Sequence, residues 1–204
     1  MDRVIPTVFA HSISEFKERF SLLVKFASAI QIDFMDGNFV PAKSLPLSAM
    51  PDLKKYKIDF EAHLMVAEPE KWIEEVTPKQ FNKVIVHIET LKNTDRGLDL
   101  FHRIRTKGAK PLLALNPETS MERLEFFLKH VDGILVMGVH PGKEHQEFIH
   151  NTLRRVATLK NRGFFVQVDG GVNLEILRKL VVAGVDVVNV GSSIADAPDP
   201  KKAY

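Results

Sequence analysis

Short apolar runs alternate with amphipathic, helix-like stretches along the whole chain, and this alternation predicts strands separated by helices. Most of the runs are rich in β-branched residues or hydrophobic throughout, which is typical of strands that are buried on both faces of a parallel sheet. The predicted strands cover residues 4–9, 29–34, 59–65, 83–87, 111–115, 133–137, 164–168 and 187–190.

The stretches between these runs carry recognisable helix start and stop signals. Gly163 and Gly184 lie where helix C-termini should end, because glycine readily takes the left-handed conformation needed there. The start signals are a capping-box pair, a proline suited to a first turn and an asparagine cap, namely Ser12 with Glu15, Pro69 of a helix through Val76, and Asn173 of a helix over 174–183.

Eight strand–helix units in 204 residues predict a single α/β domain, residues 1–204, folded as a (β/α)8 TIM barrel near the lower size limit of that fold. A doubly wound sheet is the alternative that fits the same pattern. Only residues 196–204 remain after the last apolar stretch. The eighth helix is therefore expected to be short or truncated, and a truncated helix would leave an apolar groove beside the first and last strands.

Composition narrows the classes of function. The 28 basic and 26 acidic residues nearly cancel, so no overall field favours nucleic acid or a membrane surface. The absence of cysteine excludes disulfides and thiolate chemistry and fits a reducing compartment. Residues 1–6 lack the apolar core of a signal peptide, and no run approaches the ~18 apolar residues of a membrane span. We therefore expect a cytoplasmic protein with neither nucleic acid nor membrane as a partner.

Two aspartates lie where apolar strands give way to glycine-containing turns. Asp33 closes the second predicted strand, and Asp169 follows the seventh. A carboxylate in such a place is unfavourable unless it is hydrogen-bonded, metal-bound or catalytic. In one parallel barrel both would face the same pocket, because the active site lies at the carboxyl ends of the strands. From opposite faces of a substrate they can move a proton from one face of a carbon to the other.

Gln31, Asp33, His63 and Asp169 form a possible set of N and O ligands for a divalent metal. Gln31 and Asp33 are two residues apart, so they point to the same face of their strand. Taken alone, a histidine late in a strand is more often a hydrogen-bonded core residue, and a lone strand-end aspartate is more often a cap or a turn former. Polar residues from three strands at one rim favour a metal site over these alternatives.

Glycines on two adjacent loops predict an anion site. Gly170 and Gly171 lead into a predicted helix, and Gly191 and Ser192 follow the last strand. Glycine lets backbone N–H groups approach an anion, and the loops after strands seven and eight of such barrels commonly hold a phosphate. The alternative is that these glycines only form tight turns.

Taken together, these segments resemble the ribulose-phosphate 3-epimerase family, which consists of (β/α)8 enzymes that invert carbon 3 of a ketopentose 5-phosphate. The likeness extends from Ile5 to Pro200, with every motif in order. The matching segments are DFMDGNFVP at 33–41, HLM at 63–65, VHIE at 86–89, LNP at 115–117, MGVHPG at 137–142, VDGGV at 168–172 and GS at 191–192.

The resemblance implies a metal-assisted conversion of D-ribulose 5-phosphate to D-xylulose 5-phosphate through an enediolate, in pentose phosphate metabolism. Asp33 and Asp169 would be the two acid/base groups, and together with His63 they would hold a divalent metal, either Zn, Fe, Mn or Co. Gln31 stands where the family typically has a histidine ligand. A homo-oligomer is also expected. The residues implied to contact the sugar phosphate are Thr7, Met35, His63, Met65, Met137, Gly142, Gly170, Gly171, Gly191 and Ser192.

Departures from the family pattern leave alternatives open. An amide at Gln31 is a weaker ligand than imidazole, so the metal site is either weakly occupied or empty. Glu144 and His145 replace a glycine pair of the family, and they either obstruct the phosphate or leave Lys143 to bind it. Thr7 replaces a serine and keeps the hydroxyl. The alternative functions are epimerisation of another sugar phosphate, such as a hexulose 6-phosphate, and non-catalytic binding of a sugar phosphate.

Overall fold

Eight parallel strands close into one barrel in this computed structural model, which describes residues 4–76 and 80–204. Each strand is hydrogen-bonded to the next, and β8 pairs with β1. The closed order confirms the predicted barrel and excludes the doubly wound sheet. The strands are β1 (Val4–Val8), β2 (Ala29–Met35), β3 (Asp59–Met65), β4 (Lys83–His87), β5 (Lys110–Leu115), β6 (Gly133–Met137), β7 (Val166–Asp169) and β8 (Val187–Val190).

The observed strands lie within two residues of the predicted ones, and the largest difference is at the start of β7. Phe164 is predicted to begin this strand, but its N–H bonds to the carbonyl of Leu159 at 3.2 Å. Its own carbonyl accepts from Lys160 Nζ at 2.9 Å. These bonds keep Phe164 in the turn after the preceding helix. Residues 1–3, part of the segment predicted to lack a signal core, lie outside the described residues.

Helices on the outside of the barrel connect its strands. None of them, within the described ranges, combines the length and apolarity that a bilayer span needs. The α-helices are α1 (Ile13–Leu23), α2 (Ile73–Val76), α3 (Thr94–Thr106), α4 (Asn151–Asn161), α5 (Leu174–Val182), α6 (Ser192–Ala195) and α7 (Pro200–Ala203). Short 3-10 helices cover Leu47–Ala49, Leu53–Lys55, Pro69–Lys71, Ile88–Thr90 and Met121–Leu124.

The predicted N-caps of α1 and α5 are present. Ser12 accepts a hydrogen bond from the N–H of Glu15 at 3.2 Å, and Asn173 accepts from the N–H of Ile176 at 2.9 Å. The capping box is not reciprocal, however, because the Glu15 carboxylate accepts from the N–H of His11 at 2.8 Å. The side chains of Ser12 and Asn173 nevertheless accept from N–H groups that the first helical turn leaves free.

Pro69 lies in the first turn of a helical segment that extends to Val76, as predicted, but this first turn is a 3-10 helix and not α-helical. Pro69–Lys71 is a 3-10 helix, and only Ile73–Val76 is α-helical. Glu68, which precedes Pro69, makes no side-chain cap hydrogen bond. The first turn instead tightens through i→i+3 bonds, including one of 3.0 Å from the N–H of Trp72 to the carbonyl of Pro69.

The helix ends and the C-terminal segment follow the predictions. Gly163 and Gly184 have φ angles of 82° and 91°, in the left-handed region expected after a helix. After β8 the chain forms α6 and α7, which have four residues each, so the eighth helical segment is short. The Tyr204 ring lies 5.5 Å from the ring of Phe26, which places the end of the chain against the turn after α1.

The interior of the barrel has an apolar side and a polar side. The apolar side chains come from β4, β5 and β6 and are Ile85, Leu112, Ala114, Leu135 and Met137. The buried polar residues come mainly from the other strands and are Thr7, Gln31, Asp33, Glu61, His63, His87, Gln167, Asp169 and Asn189. Buried polar groups need hydrogen-bond partners, so this side contains both a bonded network and the candidate site.

Candidate active site

The structure brings Asp33, His63 and Asp169 together at the carboxyl ends of β2, β3 and β7. Strand pairing places Asp33 directly beside His63. The Nδ1 atom of His63 lies 3.1 Å from Asp33 Oδ1 and 3.4 Å from Asp169 Oδ2. All three residues are buried, and their ligand atoms lie within 4.8 Å of one another. One imidazole and two carboxylates at this spacing fit a divalent transition-metal ion.

Burial and mutual contact shift the protonation of this cluster. Burial raises the pKa of Asp33 to about 6, although hydrogen bonds with His63 and Gln31 act in the opposite direction. Burial would lower the pKa of His63, but its hydrogen bonds to Asp169 and Asp33 outweigh that effect and raise it to about 9. Without a metal, His63 is therefore a cation at neutral pH, and it lies between Asp33 and Asp169. Asp33 titrates close to neutrality, as suits a group that must gain and lose a proton.

Behind His63 lies a second polar pair that the sequence interpretation did not include in the site. The Nε2 atoms of His63 and His87 are 2.9 Å apart, and His87 Nδ1 lies 3.3 Å from a carboxylate oxygen of Glu89. Burial lowers the pKa of His87, so we assign it as neutral, with Nδ1–H donating to Glu89. Its Nε2 then accepts from His63 Nε2–H, which leaves His63 Nδ1 directed at the aspartates.

Glu89 is a strongly held carboxylate. Burial alone would raise its pKa, but hydrogen bonds from His87, Thr119 and the N–H of Asn116 lower it to about 2. It therefore stays ionised and keeps the His87 ring oriented. The VHIE motif contains both residues, and a His and a Glu at the end of β4 were the available sequence signal.

Gln31 also lies among the aspartates, but its amide nitrogen points toward them. Nε2 donates to Asp169 Oδ2 at 2.7 Å and to Asp33 Oδ1 at 3.0 Å, and it is 3.5 Å from Thr7 Oγ1. Oε1 accepts from Asn189 Nδ2 at 2.8 Å. Metal ligation by Gln31 stays a prediction, and it would require the amide oxygen to face the cluster. Asn189 was missing from the predicted site because its role depends on contact with Gln31 across the barrel.

The predicted pocket residues Thr7, Met65 and Met137 line a small inner cavity of about 70 Å³ together with Asp33, His63 and Asp169. Met35 packs with Met65, Phe9 and Val40 in a separate apolar cluster. Substrate contact by these residues stays a prediction. The volume is about that of two or three molecules of liquid water, and small-molecule sites usually measure ~300–1,000 Å³.

Glycines surround this cavity for steric reasons. Gly142, Gly170 and Gly171 have φ angles of 91°, 91° and 70°. A Cβ atom on Gly170 would lie 2.3 Å from a methyl carbon of Val139, and one on Gly142 would lie 2.6 Å from Val40 Cβ. Only glycine fits these two positions. Gly170, Gly171, Gly191 and Ser192 also line an outer pocket of about 620 Å³. Phosphate binding by this rim stays a prediction.

Glu144 occupies the space between the loop after β6 and the glycine rim. A Cβ atom built on Gly191 would lie 3.3 Å from Glu144 Oε1, and Arg19 Nη1 donates to both carboxylate oxygens at 3.1 Å. Arg19 also donates to the carbonyl of Phe9 at 2.8 Å. Lys143, by contrast, is exposed. The rim therefore already contacts an anionic side chain. Arg19, like His87, Glu89 and Asn189, was not among the predicted site residues.

The fold and this rim define a (β/α)8-barrel enzyme with a buried Asp–His–Asp cluster and a glycine-lined pocket. The chain belongs to the ribulose-phosphate 3-epimerase family, whose family model matches residues 3–195. This membership confirms the resemblance seen in the motifs and the predicted enzyme class, an isomerase.

Curated relatives support the same family. The chain is 34% identical over 180 residues to the ribulose-phosphate 3-epimerase of Aquifex aeolicus, a match covering 85% of this chain and 80% of the relative. It is 33% identical over 207 residues to the enzyme of that name from Methanocaldococcus jannaschii, covering 98% and 85% of the two chains. The Bacillus subtilis relative of the same name is 31% identical over 185 residues, a match covering 87% of this chain and 84% of the relative.

A solved structure supports the fold. A ligand-bound crystal structure of KGPDC from Streptococcus mutans is similar to this chain with a TM-score of 0.75. The match covers 98% of this chain and 92% of that chain at 12% sequence identity. At this identity the likeness concerns the barrel alone.

Proposed function

We propose that this protein interconverts D-ribulose 5-phosphate and D-xylulose 5-phosphate by inverting carbon 3. The observation that carries the proposal is the convergence of Asp33 and Asp169, from strands β2 and β7, on the single buried imidazole of His63. Inversion at carbon needs one group to remove a proton and another to return one from the opposite face. The names of the curated relatives supply the substrate class.

The two aspartates need different protonation states during a turnover. The ionised carboxylate removes the carbon 3 proton, and the protonated carboxyl delivers a proton to the other face. A pKa of about 6 for Asp33 makes both of its forms accessible near neutral pH. Both carboxylates contact the same nitrogen of His63, and their roles exchange when the reaction runs backward.

Asp33, His63 and Asp169 would hold the divalent metal, for which Zn, Fe, Mn and Co are candidates. Such an ion supplies Lewis-acid stabilisation of negative charge on substrate oxygens. The chain's own contribution is orientation. His87 and Glu89 hold the imidazole so that Nδ1 faces the two carboxylates.

The glycine rim would bind the phosphate group through backbone N–H groups of the loops after β7 and β8. The inner cavity alone is too small for a sugar phosphate, so the phosphate group would extend into the outer pocket of about 620 Å³ that shares the same glycine rim. The position of Glu144 also favours a second candidate, an epimerase whose substrate is a different sugar phosphate with its phosphate held elsewhere, such as a hexulose 6-phosphate.

A substrate panel tests the proposal. Purified protein would be assayed with Mn²⁺, Co²⁺, Zn²⁺ or Fe²⁺ on D-ribulose 5-phosphate and on a hexulose 6-phosphate, with the product epimers separated by chromatography. Formation of D-xylulose 5-phosphate with a kcat/KM at least tenfold above that of the six-carbon substrate is expected. The reverse preference would favour the second candidate, and no product with any ion would favour the non-catalytic binding protein.

A further inference from the structure

A network of hydrogen bonds between polar side chains below the site has a fixed donor-to-acceptor direction. It begins at Lys83, whose ammonium can only donate hydrogen bonds, and at Glu61, whose carboxylate can only accept them. Lys83 Nζ lies 2.5 Å from Glu61 Oε1 and donates to Gln167 Oε1 at 3.2 Å. Glu61 and Gln167 are essentially inaccessible to solvent, and the Lys83 side chain is 16% exposed.

These end groups determine the orientation of the next two amides. Because Gln167 Oε1 accepts from Lys83, its Nε2 must donate, and it does so to Glu61 at 2.9 Å and to Asn189 Oδ1 at 3.1 Å. Asn189 Nδ2 is then left to donate. Its acceptors are Gln31 Oε1 at 2.8 Å and Glu61 Oε2 at 3.4 Å.

This hydrogen-bond network fixes the orientation of the Gln31 amide in the site. Gln31 Oε1 is used as the acceptor for Asn189, so Gln31 presents its NH2 group to Asp33 and Asp169. Turning the amide over would set Oε1 against two carboxylate oxygens and Nε2 against the Asn189 NH2 group. In a site with no exposed surface at Gln31, such unfavourable contacts have no water to relieve them.

We propose that Gln31 is a positioning residue that donates hydrogen bonds to both aspartates and is not a metal ligand. An N–H group has no lone pair to offer a cation, and it engages carboxylate oxygens that the cation needs. Gln167 and Glu61 each orient Asn189, which in turn orients Gln31. The metal ligands are then Asp33, His63 and Asp169, and the hydrogen bonds from Gln31 weaken metal binding by these carboxylates. This inference deepens the proposed function and rests on it only for the identity of the reaction.

The sign of one affinity change separates a donor from a ligand. Gln31→Met keeps the length of the side chain but removes both the donor and the acceptor. Isothermal titration with MnCl2 alone would be performed on the wild type and the variant. We expect the variant's Kd for Mn²⁺ to fall by about tenfold, because the carboxylates lose competing hydrogen bonds. A Kd that rises would show that Gln31 was a ligand and would overturn the proposal.

Gln167→Met is the matched control. The substitution removes a buried amide from the same hydrogen-bond network. Gln167 contacts neither aspartate, and in the variant Glu61 still accepts from Asn189 and orients it. We expect it to lower thermal stability while leaving the Kd for Mn²⁺ within twofold of the wild-type value. An equal fall in Kd in the control would attribute the effect to general loosening of the barrel and would also overturn the proposal.

Atomic-resolution crystals of the wild type, with and without MnCl2, decide the matter even if Gln31→Met does not fold. At such resolution the amide oxygen and nitrogen are distinguishable. Oε1 against Asn189 in both crystals supports the proposal, and Oε1 facing Asp33 and Asp169 in either crystal overturns it. Neither measurement requires turnover, so a protein that failed to epimerise any sugar phosphate would refute the proposed function and leave this inference intact.

Discussion

Replacing Glu144 by glutamine should strengthen phosphate binding. In the structure the Glu144 carboxylate lies against Gly191 and accepts hydrogen bonds from Arg19 at 3.1 Å, so a phosphate must displace it. A hydrogen bond to a charged group contributes ~1.5–3 kcal/mol, and glutamine keeps one acceptor oxygen for Arg19 but loses the other together with the negative charge. The side chains of Arg19 and Glu144 are only 16% and 17% exposed, so solvent screens the pair weakly. We take the net difference as about 1.4 kcal/mol.

A difference of about 1.4 kcal/mol corresponds to about a tenfold change in binding. Steady-state kinetics of Glu144→Gln with D-ribulose 5-phosphate should show KM lowered by about that factor and kcat little changed, because the loop affects binding and not proton transfer. Inorganic phosphate, used as a competitive inhibitor, should bind more tightly by the same factor. An unchanged or raised KM would refute the idea that the Glu144 carboxylate competes with phosphate.

Glu125→Gln is the control for the loss of one charge. Glu125 forms an equivalent carboxylate–guanidinium pair with Arg162, at 2.7 and 2.9 Å, on the exposed surface. Exposed pairs contribute little to stability. This variant should keep the wild-type KM for both ligands, which would exclude a general effect of net charge.

Two further substitutions test the parts of the site that hold its shape. Gly170→Ala should lower the free energy of unfolding by about 1–3 kcal/mol in urea titrations, because the residue has φ of 91° and the new Cβ meets Val139 at 2.3 Å; equal stability would contradict this steric argument. Glu89→Gln should cost at most about 3 kcal/mol at pH 7, since the native pKa is about 2 against 4.5 for an unperturbed glutamate. A lowered pKa stabilises the fold fully above pH 4.5, and this contribution is lost as the pH falls toward 2. The difference in free energy of unfolding between wild type and variant should therefore be smaller at pH 3 than at pH 7. An equal difference at both pH values would disprove the lowered pKa of Glu89.

The barrel was predictable because its signals are local. Continuous apolar runs mark the strands, and caps such as Ser12 and Asn173 act within four residues of their own position. Asp33 and Asp169 could be identified as site residues because a charged group at the end of an apolar strand is unusual whatever the tertiary fold. The pairing of β2 with β3 places Asp33 beside His63, and closure of the barrel brings Asp169 to His63 from β7.

The remaining features depend on contacts between distant residues. Gln31 could be recognised as a departure, but the direction of its amide is set by Asn189, which is 158 residues away. Glu144 could be suspected of obstructing phosphate, but its partner Arg19 lies 125 residues earlier on α1. Neither pairing leaves a periodic or spaced signal in one sequence, so hydrogen-bond direction and charge pairing emerge only after the chain is folded.

Proton exchange at carbon 3 tests the central claim most directly, because it reports proton removal apart from product release. D-ribulose 5-phosphate would be incubated with protein and Mn²⁺ in D2O, and the loss of the carbon 3 proton signal followed by NMR. The wild type should exchange this proton and form the epimer, whereas Asp33→Asn and Asp169→Asn should each form the epimer more slowly by ~10²–10⁴-fold. Epimer formation by Asp169→Asn at more than about a tenth of the wild-type rate would contradict the two-aspartate mechanism.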